Sequence, residues 1–248
     1  MPPGALTSAD HNCSITSLPS RSRVLAKFFA AEHRTRPLRT TKLFAKPWVF
    51  PASATVLDVG SNVGSNLIEF MTQGAQPSVA VHTYEPVAAI RERLEVNVRR
   101  FPQIHVHPFG LASENRTACF RLGGKHNLEG TTAVSQLRSA GSCARGQTEA
   151  TLVAIGDVLD SYRRIQLLHV NCEGCEYDII PGIPATALNR IDAIELQAHP
   201  LENRQLAAYC ALEAHLRAAR FARIYRFPFV WELWARPHAN RTWIDSAH

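Results

Sequence analysis

The chain has no apolar run approaching the ~18 residues that a membrane span needs. No hydrophobic h-region follows its N-terminus, which argues against a secretory signal peptide. It has no internal repeat and no G-x-G-x-x-G, and the missing fingerprint disfavours a dinucleotide pyrophosphate. Cys172 and Cys175 form one C-x-x-C, but no second pair exists to complete a structural zinc site, and the flanking residues do not suit a thioredoxin-like redox motif. The six cysteines (Cys13, Cys119, Cys143, Cys172, Cys175 and Cys210) are scattered through a mid-sized chain, so no disulfide framework is expected. Cys172 and Cys175 read as small apolar fillers near a strand end. Charge is also lacking over most of the chain. Residues 1–50 hold eight Lys/Arg and two acids, whereas the remaining 198 hold 19 of each. The net charge of +6 therefore describes an N-terminal arm, and no nucleic-acid face on the body is implied. The arm faintly resembles an organellar transit peptide; the cytoplasm is the expected location.

What is present is a globular composition, 46% hydrophobic with 13 Gly and 15 Pro in 248 residues. Residues 1–53 read as a basic, Pro-containing arm with a short helix over 21–33, and residues 54–248 as one domain. Thr55 to Gly60 is a short apolar strand ending in a glycine turn. A helix over Ser65–Gln73 follows, with Gly74 as its stop. Ala80–Tyr84 is a second strand. Pro86 opens a helix whose Val87, Ile90, Leu94, Val98 and Phe101 share one face. Ile104–Leu111 reads as a third strand and Ala118–Leu122 as a small extra one. Residues 123–150 show no period, the pattern of a lid, a binding loop or disorder. Strands follow at Thr151–Ile155, Ile165–Val170 and Ile191–Leu196, with helices at Cys175–Ile180 and Leu201–Arg220. Arg223–Ala235 supplies two closing strands, turning at Phe227-Pro228. This alternation predicts an α/β fold with a mainly parallel seven-stranded sheet and helices on both faces.

In such sheets ligands sit beyond the carboxyl ends of the strands. The candidates are therefore Asp58–Gly64, Glu85, Gly110–Ala112, Asn171–Glu173 and Gln197–His199. In Asp58-x-Gly60-x-Asn62-x-Gly64 the glycines let backbone approach a ligand, and the acid suits a cationic group such as an amine. Glu85, ending the second strand, can accept both hydroxyls of a ribose. Glu173 and His199 are candidate bases, His199 having the better unperturbed pKa for work near pH 7. Glu195 lies within a strand and reads as structurally paired. His105 and His107 share a strand face without an identifiable third ligand, so no metal is assigned. His126 lies in the unpatterned segment. Trp48, Trp231 and Trp234 either stack on a sugar or close the core.

Val56-Leu57-Asp58-Val59-Gly60-Ser61-Asn62-Val63-Gly64 and Tyr84-Glu85-Pro86, with Leu94 and Asn97-Val98, resemble the first two motifs of the class I S-adenosylmethionine-dependent methyltransferases. Gly110-Leu111-Ala112-Ser113 and His169-Val170-Asn171-Cys172-Glu173-Gly174-Cys175-Glu176 narrow the resemblance to the FkbM-type family, whose signature is commonly K-x-D-x-E-G-x-E. The resemblance covers roughly residues 55–200, with His169 and Asn171 replacing the usual Lys and Asp. It implies a Rossmann-like fold with S-adenosyl-L-methionine held by Asp58, Gly60, Ser61, Asn62, Gly64, Glu85 and Leu111. With Asn171, which can orient a substrate hydroxyl, the strand-end bases Glu173 and His199 are the candidate catalytic residues. The resemblance also implies O-methylation of a hydroxyl on a sugar or small metabolite; the neutral body makes a nucleic-acid partner unexpected. The other readings are a methyltransferase acting on nitrogen or nucleic acid, and a binding protein that has kept the fold without catalysis.

Overall fold

The computed structural model describes Cys13 and residues 50–51, 53–73, 78–121, 132–133, 143–198, 204–227, 231–237 and 239. The expected arm helix, the Gly74 stop, His126, His199, Trp48 and Pro228 lie outside the described residues.

The chain opens with β1 (Thr55–Val59), α1 (Ser65–Gln73), β2 (Ala80–Tyr84), α2 (Ala88–Val98) and β3 (Ile104–His107). Then come β4 (Gly110–Ala112), β5 (Arg116–Arg121), β6 (Thr132–Ala133) and β7 (Gln147–Ala154). The remainder is α3 (Ile155–Leu159), β8 (Ile165–Val170), α4 (Glu176–Gly182), α5 (Ala185–Leu188), β9 (Ile191–Gln197), α6 (Arg204–Ala218), β10 (Ala222–Phe227) and β11 (Trp231–Ala235). Seven strands form the main sheet in the order β10-β11-β9-β8-β1-β2-β3, and β4-β7-β5-β6 form a second, smaller sheet. Only β11 runs antiparallel to its neighbours in the main sheet, pairing with both β9 and β10.

The apolar runs explain the layers. All six residues of β8 are buried, as a strand covered on both faces requires. Its one amide, Gln166, is satisfied because Oε1 accepts the Thr55 backbone N–H at 2.6 Å. Along β1 the side chains alternate. Val56 joins Leu67, Phe70, Val81 and Leu94 in the cluster with α1 and α2, while Leu57 and Val59 join Ile155, Leu168, Ile180 and Leu212 in the cluster with α3, α4 and α6.

Two sequence expectations are corrected. The strand expected over Ile104–Leu111 is broken at Pro108-Phe109: β3 stays in the main sheet, while β4 leaves it to pair in parallel with β7. Proline cannot donate to the ladder, and an apolar period carries no information about which sheet a strand joins. The cysteines do form disulfides, and Cys172 and Cys175 are not fillers. All six are paired, as Cys13–Cys210, Cys119–Cys143 and Cys172–Cys175. Cys13–Cys210 ties the arm to α6 across 197 positions, a closure worth about 5 kcal/mol in the chain-entropy account. Pairing depends on proximity in space, which scattered spacing does not reveal. No described helix is long and apolar enough to cross a membrane.

Candidate active site

β8, β1 and β2 are neighbours at the centre of the main sheet, and the turns leaving them meet at its carboxyl edge. The turn after β1 places Gly60, Asn62 and Gly64 at positive φ (89°, 52° and 88°). Asparagine tolerates that region, and its Oδ1 accepts the Val63 N–H at 2.7 Å. Gly60 is obligatory for a second reason. A Cβ there would lie 2.1 Å from the Asn171 carbonyl oxygen and 2.9 Å from Cys172 Cα, so the backbone after β8 lies directly against the backbone after β1. The Asn171 N–H donates to the Val59 carbonyl at 2.9 Å and locks the two turns together.

Asp58 is 2% exposed and does not open towards solvent. His169 Nδ1 lies 2.7 Å from its Oδ1, Thr83 Oγ1 donates to Oδ2 at 3.2 Å, and the Ser61 hydroxyl also donates to Oδ2. Strand register explains the cluster: Asp58 pairs with Thr83 on one side and His169 on the other, and His169 pairs in turn with Glu195. A buried polar row thus crosses four strands, capped by Trp231 stacked on His169 at 5.5 Å. The expectation that Asp58 faces a cationic ligand gives way here to a different placement, in which its carboxylate anchors Ser61 and the turn.

Glu85 is 5% exposed, and its Oε1 accepts the Val87 N–H at 3.0 Å. Burial raises its carboxyl from 4.5 to about 7, against the backbone N–H groups of Val87 and Asn62 and the Arg91 charge, which pull it back down. The folded state therefore holds a proton that the unfolded chain has already lost between pH 4.5 and 7. The corresponding stability is fully present below pH 4.5 and is lost as pH rises through 7, by roughly 3 kcal/mol at most. Glu85→Gln is expected to flatten that slope in denaturant unfolding followed from pH 5 to pH 8.

Leu111, on β4, is buried in the same core as Tyr84, while Val63, Val87 and Ala112 share a small apolar cluster. A cavity of about 200 Å³ opens beside Tyr84, lined also by His107, Phe109, Asp157, Ser161 and Tyr162.

After β8, Asn171 Oδ1 is buried without a hydrogen-bond partner among the described residues. Glu173 (φ 56°) and Gly174 (φ 108°) are both left-handed, and the Cys172–Cys175 bridge closes this loop. Glu176 is fully buried and accepts the Gly174 N–H at 2.9 Å, so the second acid of the E-G-x-E segment braces the loop from below. The structure thus brings Asp58, Gly60, Ser61, Asn62, Gly64, Glu85, Asn171 and Glu173 to one edge.

Sequence reasoning missed Thr83, Glu176 and the His169–Asp58 pair; only strand register reveals two of them. His82 supplies the third imidazole beside His105 and His107, with Nδ1 3.0 Å from His107 Nε2. The His82 ring stacks on both others, and no group of three or more described His, Cys, Asp or Glu is arranged to hold a metal.

No protein-family model matches the chain. The chain is 25% identical over 226 aligned positions to the AMB antimetabolite synthetase AmbE of Pseudomonas aeruginosa, covering 77% of this chain but 10% of that protein. It therefore spans about a tenth of that relative's length. Among solved structures, the methyltransferase FkbM of Methylobacillus flagellatus superposes with a TM-score of 0.51 at 13% identity, covering 79% of this chain and 48% of that one. The chain has the class I methyltransferase fold. In this chain one strand, β11, is inserted antiparallel between β9 and β10. An O-methyltransferase from Bacillus cereus, in complex with SAH, is a more distant likeness, with a TM-score of 0.45 and 11% identity over 88% of this chain and 93% of that one.

Proposed function

We propose that the chain is an S-adenosylmethionine-dependent methyltransferase that methylates a hydroxyl on a sugar or small metabolite. The observation that carries this reading is the contact of the Gly60 turn with the Asn171 backbone, next to Glu85 at the end of the adjoining strand. The residues present fit the cofactor. The half-buried turn over Gly60–Val63 would carry a methionine moiety on its backbone, with Ser61 and Asn62 held in place. Glu85 would accept the ribose hydroxyls, and Leu111 with its apolar neighbours would bound the adenine. Asn171 Oδ1, a buried acceptor without a partner, is suited to a donor from cofactor or acceptor.

S-adenosylmethionine supplies an electrophilic methyl on a sulfonium, so the chain's own task is chiefly orientation, worth on the order of 7–11 kcal/mol. The acceptor hydroxyl also loses a proton, and a placed base contributes roughly 10²–10⁴-fold. Glu173, on the left-handed loop after Asn171, and His199, beyond the end of β9, are the candidates. His169, in place of the family's usual lysine, holds Asp58 through Nδ1.

The test is transfer of labelled methyl from S-adenosylmethionine to a panel of hydroxylated glycosides, beside calorimetric titration of the cofactor. Glu173→Gln or His199→Ala is expected to lower turnover by about 10²-fold or more while sparing cofactor affinity. A folded protein that binds neither S-adenosylmethionine nor S-adenosylhomocysteine would sink the reading. Because the ionised Glu85 carboxylate is the form that accepts both ribose hydroxyls, cofactor affinity is expected to rise roughly tenfold from pH 6 to pH 8, with a proton released on binding near pH 7. Titrations in buffers of different ionisation enthalpy measure that proton directly, and Glu85→Gln is expected to abolish its release.

A further inference from the structure

We infer that the chain matures in an oxidising compartment that installs N-linked glycans, and that Asn115 is a glycan acceptor there. Two independent observations carry this. The first is the complete pairing of the cysteines. Cys13–Cys210 joins segments 197 positions apart and Cys119–Cys143 closes a loop of 24, as structural bridges do. Neither contains a residue of the Gly60, Glu85 or Asn171 cluster, so neither is part of the site's chemistry. Bridges of that kind persist where thiols are kept oxidised and are rare in the cytosol. On this inference the chain matures outside the cytoplasm, the location expected from its sequence.

The second observation is the turn between β4 and β5. Asn115-Arg116-Thr117 is an Asn-x-Thr acceptor sequence. Asn115 and Thr117 are both exposed, while Arg116 between them is partly buried with Nη2 2.5 Å from Asp178 Oδ2. The Asn115 amide is held ready. Its Oδ1 accepts the Ala154 N–H at 2.8 Å, and its Nδ2 donates to Asp157 Oδ2 at 3.0 Å. Those contacts use the oxygen and one of the two Nδ2 hydrogens. The other hydrogen can be replaced by a sugar without breaking either bond. In the transfer, Nδ2 attacks the anomeric carbon of a polyprenyl-pyrophosphate-linked oligosaccharide. The C–N bond forms, the C–O bond to pyrophosphate breaks, and one Nδ2 proton is released. The sequons at Asn12 and Asn240 lie outside the described residues.

Full-length protein from its native source tests this after free thiols are blocked with iodoacetamide. Non-reducing peptide mapping is expected to find Cys13, Cys119, Cys143 and Cys210 unalkylated. Peptide-N-glycosidase F in ¹⁸O-water is expected to convert Asn115 to labelled aspartate. Thr117→Ala is expected to abolish that label while keeping the Asn115 hydrogen bonds, and Thr117→Ser to retain it. Alkylated cysteines, or an Asn115 peptide that is unmodified before enzyme treatment, would overturn the inference. These outcomes do not depend on cofactor binding, so they stand apart from the methyltransferase reading.

Discussion

Gly60→Ala is expected to abolish S-adenosylmethionine binding, lowering affinity by at least 10²-fold in calorimetry. Two penalties combine. The backbone sits at φ 89°, where a side chain costs about 1–2 kcal/mol. The new Cβ would also meet the Asn171 carbonyl oxygen at 2.1 Å. That neighbour is backbone, so no rotamer change relieves the clash. The turn after β1 must separate from the turn after β8, and the proposed cofactor cradle is built on the turn that is displaced. Gly174→Ala is the control. Its φ of 108° is also strained, but nothing lies within 4 Å of a Cβ there. It is expected to lose only the backbone term, about tenfold or less. Equal behaviour of the two variants would show that contact with Asn171 does not shape the site.

Asp58→Ala is expected to destabilise the fold as well as weaken binding. The carboxylate is buried with His169, Thr83 and Ser61 around it, so its removal leaves buried donors without their acceptor. Deleting one partner of a buried, charge-capable pair costs about 3–5 kcal/mol. In a chain of this size that lowers the melting temperature by roughly 10 °C or more. Asp58→Asn keeps one acceptor oxygen for His169 Nδ1 and is expected to fall between wild type and alanine. Scanning calorimetry of the three proteins decides the matter. If Asp58→Ala melts with wild type and loses only affinity, the carboxylate acts on the ligand directly.

The site was legible in part because strand ends and turn residues leave local marks. Gly60, Asn62, Gly64 and Glu85 stand where an apolar run stops, and a run of five or six residues shows where its strand ends. His169 was visible only as a departure from a family pattern. Its role became clear from register, since Asp58 and His169 lie 111 positions apart yet pair across adjacent parallel strands. Glu176 read as one more acid in a motif until its burial showed it holding Gly174. Cys172 and Cys175 could be read as fillers because cysteine is small and apolar either way.

The sequence by itself determined most of the alternation of strands and helices and the mainly parallel sheet, and it proposed the edge at which a ligand would sit. These follow from hydrophobic period and turn chemistry, which act over a few neighbouring residues. The tertiary structure alone decided that Asp58 faces inward to His169, that β4 leaves the main sheet, that Gly60 abuts Asn171 and which cysteines pair. Each is a contact between residues distant in the chain, and such contacts depend on how layers pack rather than on any local pattern.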